Sequence, residues 1–140
     1  MNNSLLKKLL VDLPIFHHLD DDEYRILAFI GKRYDYTVED DLYRAYEPSL
    51  DAILITAGRA MIRFEDVNKP DILARRGSLI NELSLFSDKQ YDYSIEAMEA
   101  ISVVHFFRED FLHLMQEYPE IGHKIQRNIA ARLGSFVSQV

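Results

Sequence analysis

At 140 residues, 48% hydrophobic and 28% charged, the chain has the make-up of one soluble globular domain (residues 1–140), large enough to bury a core without a covalent staple. It has no cysteine, which excludes disulfides, thiolate catalysis and zinc–thiolate sites and fits a cytoplasmic location. The formal charge of −7, from 23 acidic against 16 basic residues, argues against DNA as a partner: basic residues cluster only in pairs (Lys7-Lys8, Lys32-Arg33, Arg75-Arg76), and the acidic runs Asp20-Asp21-Asp22-Glu23 and Glu39-Asp40-Asp41 repel phosphate backbones. No apolar run approaches the ~20 residues of a membrane span, and the segment Met1 to Lys8 has too short an apolar core for a signal peptide.

Apolar residues at 5, 6, 9, 10 and 13 predict a first helix over Ser4–Leu13, ended by Pro14. After a short connector, Asp20 and Glu23 form a capping box, with Leu19 and Tyr24 as its hydrophobic staple. The second helix runs to Gly31, a natural C-cap. From Lys32 the texture changes to strands: 33–38, 42–46, 52–57 and 60–64, the last two joined in a hairpin at Gly58-Arg59. Residues 72–75, 91–97 and 101–106 follow, and seven or so short, evenly spaced strands argue for a sandwich or roll. Helices return at 109–117 and, after Pro119 at a first-turn position, at 120–137. There Ile121, Ile125, Ile129, Leu133 and Val137 recur every four residues, with Phe136 and Val140 beside or beyond that stripe.

Between the strands lies Gly77-Ser78-Leu79-Ile80-Asn81-Glu82-Leu83-Ser84-Leu85-Phe86, a strand ending, a glycine turn and a short helix opening on a glutamate. A helix opening offers unpaired N–H groups and a partial positive charge to an anion. The run resembles the phosphate-binding cassette of cyclic nucleotide-binding domains, the family of catabolite-activator and Fnr-type regulators, which reads Gly-x-x-Phe-Gly-Glu-Leu-Ala-Leu, a short loop, then Pro-Arg-x-Ala. Leu13-Pro14-Ile15-Phe16 with Leu19, Ala57-Gly58-Arg59, Arg108-Glu109-Asp110-Phe111 and Tyr118-Pro119-Glu120-Ile121 resemble further stretches of that family, in the same order. The resemblance covers nearly the whole chain. It implies a mainly β fold with flanking helices: a β-roll (double-stranded β-helix or jelly roll) with two N-terminal and two C-terminal helices. The family's glycines near Glu39 and Tyr46 are absent, which predicts reshaped turns there.

The same resemblance places the ligand-binding positions at Asn81, Glu82, Leu83, Ser84, Tyr91, Asp92 and Ser94. Glu82 stands where the family's glutamate accepts a hydrogen bond from the ribose 2′-hydroxyl; read locally, it caps its own short helix. Asn81 replaces the cassette glycine, and asparagine tolerates the left-handed region best after glycine, so the turn persists while the side chain crowds the pocket mouth. Gln90-Tyr91 replaces the Pro-Arg pair whose arginine grips phosphate in the family. A phenol offers one neutral hydrogen bond where a guanidinium offers a charged, bidentate pair. Losing a charged hydrogen bond costs roughly 1.5–3 kcal/mol, or about 10- to 150-fold in affinity. Asp92 repels phosphate if it points inward, and Lys89 is a poor substitute for a planar fork. Ser84 and Ser94 are hydroxyl donors or ordinary polar positions.

The five histidines, His17, His18, His105, His113 and His123, show no metal-ligand spacing, and only His105 falls on a strand, which disfavours a metal-dependent cupin-type enzyme. No nucleophile elbow, Walker loop or dinucleotide glycine fingerprint occurs. The reading is a non-catalytic regulatory or scaffolding module without metal or cofactor, with weak or lost cyclic mononucleotide binding. It acts through a protein partner or homodimer contact on the C-terminal helix (119–140). The alternative is a cyclic nucleotide sensor, for cyclic AMP, cyclic GMP or a cyclic dinucleotide, with altered pocket chemistry. In the resembling regulators a dimer helix and a helix-turn-helix follow; the chain ends at Val140, so no DNA-binding domain is expected.

Overall fold

The computed structural model describes residues 2–138, with side chains through residue 132. The chain forms two compact units, Met1–Ile30 with Phe111–Val140, and Gly31–Asp110.

The first unit is helical. Asn2 caps α1 (Asn3–Val11) by accepting the Leu5 N–H at 2.9 Å, so the helix starts before the expected Ser4. Pro14–Phe16 is a single 3-10 turn. The capping box of α2 (Asp21–Ile30) is reciprocal: Glu23 N–H donates to Asp20 Oδ1 at 2.8 Å, and Asp20 N–H to Glu23 Oε1 at 2.9 Å. Leu19 and Tyr24 are both buried, and the Tyr24 phenol donates to the Phe16 carbonyl at 2.7 Å. α3 (Arg108–Glu117) belongs to this unit from Phe111 onward. α4 (Pro119–Ser138) buries Ile121 and Ile125 and half-buries Ile129. It is pinned by Lys124 on Glu23 at 2.5 Å and by Asn128 Nδ2, which donates to the carbonyls of Ile15 (3.0 Å) and His17 (2.8 Å). The expected continuation of its stripe at Leu133 and Val137, with Phe136, lies outside the described side chains, and Val140 lies outside the described residues.

The second unit is an antiparallel roll of eight strands: β1 (Lys32–Tyr36), β2 (Asp41–Tyr43), β3 (Asp51–Ala57), β4 (Arg59–Phe64), β5 (Ile72–Arg75), β6 (Leu79–Ile80), β7 (Tyr93–Ala97) and β8 (Ile101–Phe107). They form two four-stranded sheets, in the orders β1-β8-β3-β6 and β2-β7-β4-β5. Alternate residues Ile53 and Ile55 of β3, and Ile101 and Val103 of β8, meet Ile95 and Ala60 of the second sheet in one apolar core. The intervening Ala52, Leu54, Val104 and Phe106 are buried too, so β3 and β8 read as continuous apolar runs.

Four expectations are corrected. β2 stops at Tyr43 rather than residue 46, because residues 44–47 close a turn in which Glu47 N–H donates to the Arg44 carbonyl at 3.2 Å. β7 begins at Tyr93 rather than Tyr91. The turns at Glu39 and Tyr46 are not reshaped: both residues hold the left-handed φ that glycine would supply, 73° and 66°. Backbone bonds hold them there, from Glu39 N–H to the Ala97 carbonyl (2.9 Å) and from Tyr46 N–H to the Tyr91 carbonyl (2.8 Å). Gly31 does not serve as a left-handed cap. A Cβ there would sit 2.5 Å from Val104 Cγ1, so glycine is set by close approach to β8. The hairpin at Gly58 is as expected, with φ of 87°.

Candidate functional site

The cassette is built by local backbone rules. Gly77, at φ 90°, turns the chain out of β5. β6 follows, and Asn81 then adopts the left-handed conformation (φ 64°, ψ 34°) that launches the 3-10 helix Glu82–Leu85. Asparagine keeps the glycine-type turn, as its tolerance for that region predicts.

What distinguishes the site is the fate of its side chains. Asn81, Ser84 and Ser49 are buried, and Tyr91 and Tyr93 project among them from the incoming chain and β7. Ser49 donates to the Asp51 carbonyl (3.3 Å) and accepts from Ser84 Oγ (2.7 Å) and from Asn81 Nδ2 (3.4 Å). With its one proton given to Ser49, Ser84 accepts from the Tyr91 phenol at 3.1 Å. Protons therefore run one way, from Tyr91 through Ser84 and Ser49 to Asp51. The Tyr93 phenol donates to Asn81 Oδ1. The Tyr43 phenol accepts the Tyr91 N–H (2.9 Å) and donates to the Glu47 carbonyl (2.6 Å). The rings of Tyr91 and Tyr93 lie 5.1 Å apart, with Tyr43 edge-on to Tyr91 at 5.9 Å. Among the described residues no buried side-chain nitrogen or oxygen lacks a partner.

Burial pushes the phenol pKa values of Tyr91 and Tyr93 upward, so both stay neutral. Where the resemblance places phosphate, the chain presents a neutral, internally satisfied network. The cationic Arg108 is used otherwise. Its Nη1 donates to the carbonyls of Ser87 (2.8 Å) and Ser84 (3.3 Å) and its Nη2 to Asp88 Oδ1 (2.7 Å), so it bridges the last turn of the cassette helix and the loop after it.

The other expected positions separate. Asp92 pairs with Lys69 at 3.2 Å. Ser94 Oγ accepts the Ala45 N–H at 3.0 Å and fixes the loop after β2. Leu83 is exposed, and Glu82 is half-buried in the first turn of its helix. Lys89 is exposed and lines, with Pro48, Ser49, Leu50 and Arg108, an open groove of about 550 Å³. Sequence reasoning missed Ser49, Tyr43 and Tyr93. The alternation Tyr91-Asp92-Tyr93 is a signal that two phenols share one face; no local pattern marks Ser49.

A second cluster ties three strands of one sheet. His105 of β8 is bonded at Nδ1 to the Asp51 carboxylate of β3 and at Nε2 to the Tyr36 phenol of β1 at 2.8 Å. Tyr34 meets the imidazole edge-on at 5.0 Å, and Phe107 stacks on it at 5.7 Å. Among the described residues no group of three or more histidine or acidic side chains is arranged to hold a metal ion, and no helix is long and apolar enough to cross a membrane.

The fold recurs in solved structures. The N-terminal domain of a transcriptional regulator from Streptomyces coelicolor A3(2) superposes with a TM-score of 0.87 at 20% identity, covering 94% of each chain. The catabolite activator protein of Thermus thermophilus gives 0.72 at 22% identity, over 91% of this chain and 61% of that one. The sensor domain of the transcriptional regulator DNR from Pseudomonas aeruginosa gives 0.71 at 14% identity, over 99% and 95%. No curated protein matches the sequence. The family model of the cyclic nucleotide-binding domain matches residues 35–118, more than half of the chain, with β3, the cassette, β7 and β8 inside the match. Roll, cassette turn and sequence match agree: the chain belongs to the cyclic nucleotide-binding domain family.

Proposed function

We propose that the chain is a non-catalytic, cytoplasmic regulatory module that keeps the family's roll but binds cyclic AMP and cyclic GMP weakly or not at all, and works through protein contacts. One observation carries this reading: Tyr91, in the position of the phosphate-gripping arginine, donates into the Ser84–Ser49 chain. An anion entering there has to break satisfied hydrogen bonds and gains no cation in return. Asn81, held by Tyr93 and Ser49, fills the mouth that a glycine would leave open. Calorimetry with cyclic AMP and cyclic GMP tests it. The expected dissociation constant is weaker than about 1 µM, or about −8 kcal/mol; micromolar or tighter binding moves the assignment to a cyclic nucleotide sensor with altered chemistry.

The protein contact is assigned to the C-terminal segment 119–140, on the apolar Phe136 and Val140, which fall beside or beyond the stripe from Ile121 to Val137 in the sequence. Duplex DNA is not assigned as a partner, given a charge of −7. A fluorescence-anisotropy titration giving salt-sensitive sub-micromolar binding would contradict that.

A further inference from the structure

The phenols of the chain differ in what they donate to. Tyr24 donates to the Phe16 carbonyl, Tyr43 to the Glu47 carbonyl, Tyr91 to the Ser84 hydroxyl and Tyr93 to Asn81 Oδ1. Carbonyl, amide and hydroxyl oxygens accept a hydrogen bond but hold no proton near neutral pH. Among the described residues, Tyr36 is the one phenol bonded to a nitrogen base, Nε2 of His105 at 2.8 Å.

The rest of that cluster keeps the nitrogen bare. Nδ1 of the same ring is bonded to the Asp51 carboxylate, which can only accept. The ring proton therefore sits on Nδ1, and the neutral imidazole offers its lone pair to Tyr36 at Nε2. A second proton, arriving at Nε2, makes an imidazolium that faces a carboxylate, and the charged ring is stabilised there. His105 is buried and the Asp51 side chain is 16% exposed, so bulk water does not compete for that proton. The other charged and titratable groups around the pair are Lys32, registered with His105 and exposed, Tyr34, and Asp40 in the turn after β1.

Burial holds the Tyr36 phenol above its ordinary pKa, so the ring is present as the neutral phenol. Taking an electron from a neutral phenol makes a strongly acidic radical cation, and a proton has to leave with the electron. The Tyr36–His105 bond supplies that exit over one hydrogen-bond length, already aligned. The electron needs no open path to Tyr36. Tyr34, 49% exposed, packs edge-on to the same imidazole at 5.0 Å and carries the aromatic cluster to the surface.

We propose that Tyr36 is a one-electron redox site, which reduces an outer-sphere one-electron oxidant and passes its phenol proton to His105. In this step the Tyr36 O–H bond breaks and an N–H bond forms at Nε2. The electron goes to the oxidant, and a neutral phenoxyl radical remains, hydrogen-bonded to an imidazolium held by Asp51. Return of one electron reverses both transfers.

Photogenerated tris(bipyridine)ruthenium(III), supplied to the chain below one equivalent, tests it. The expected product is a phenoxyl radical, read by absorbance and electron paramagnetic resonance. Its rate of formation should be independent of phosphate concentration, because the base is internal. A positioned base accelerates proton transfer by roughly 10²- to 10⁴-fold, so Tyr36→Phe, which removes only the hydroxyl, is expected to slow radical formation about tenfold or more. His105→Gln is expected to slow it likewise and to make the remaining rate depend on phosphate. Tyr46→Phe and Tyr118→Phe, at exposed phenols, are expected to leave the rate unchanged. Circular dichroism establishes that each variant is folded, and Tyr36→Phe alone decides where His105→Gln is not. A rate that Tyr36→Phe leaves unchanged overturns the proposal. So does a wild-type rate that rises in proportion to phosphate, a folded His105→Gln variant with the wild-type rate, or a rate that falls with Tyr46→Phe or Tyr118→Phe instead, since oxidation then follows exposure.

Discussion

The Ser84 hydroxyl donates to the hydroxyl of Ser49 at 2.7 Å, which fastens the cassette helix to the strand connection ahead of β3. Ser49 is the hub of the site, since Asn81, Ser84 and the Asp51 carbonyl all converge on its one oxygen. The cluster is a structural joint, and its energetics are those of buried hydrogen bonds.

Ser49→Ala strands the buried donors of Ser84 and Asn81. The expected loss is about 1–3 kcal/mol of folding stability, read from urea melts. Ser84→Ala in the same background should cost less than it does alone, because the two hydroxyls act together. Strict additivity would mean that the bond carries no energy.

Gly31→Ala is expected to destabilise by about 1–3 kcal/mol, through overpacking against Val104. In a Val104→Ala background the Cγ1 atom is gone and the penalty should shrink. It should not vanish, since the Phe106 ring lies 3.2 Å from the same Cβ position. An equal penalty in both backgrounds would locate the strain elsewhere.

Tyr46→Gly should stabilise the roll. Left-handed φ costs a residue with a Cβ roughly 1–2 kcal/mol, and glycine returns about 0.5–1 kcal/mol of that as chain entropy. The net gain is about 0.5–1 kcal/mol, with little packing lost from a side chain that is mostly exposed. A lower urea midpoint would show that the Tyr46 ring makes a contact worth more than the strain.

Alkaline pH should weaken the fold. Burial raises the pKa of Tyr93 and Tyr91 above the ordinary phenol value of about 10, and burial likewise raises Tyr24 and Tyr36. A raised folded value means that the unfolded chain gives up its phenol protons first. Stability is therefore full below pH 10 and falls as pH rises above it. Phenolate absorbance in native and urea-unfolded protein separates this from lysine titration; coincident phenol titration curves would remove the effect.

Local chemistry made part of this legible from sequence. The capping box of Asp20 and Glu23, the hairpin at Gly58 and the left-handed Asn81 each depend on neighbours within a few residues, and each is found. Glu39 and Tyr46 misled because the preference for glycine is worth only about 1–2 kcal/mol, and long-range backbone bonds override it. Gly31 misled because its reason is a contact with distant β8. Ser49 was invisible for the same cause: it reaches Ser84 only because its backbone bridges to Lys89 across the cassette loop.

An ionised carboxylate can only accept, so the Asp51–His105 contact fixes a proton on Nδ1 of the imidazole. That side chain is 7% exposed and is anchored to β1, β3 and β8 at once. Its ring proton is thereby screened from exchange with water and should persist as a resolved low-field magnetic resonance line. The roll carries an unlabelled, single-proton reporter of its own opening, readable separately from the helices.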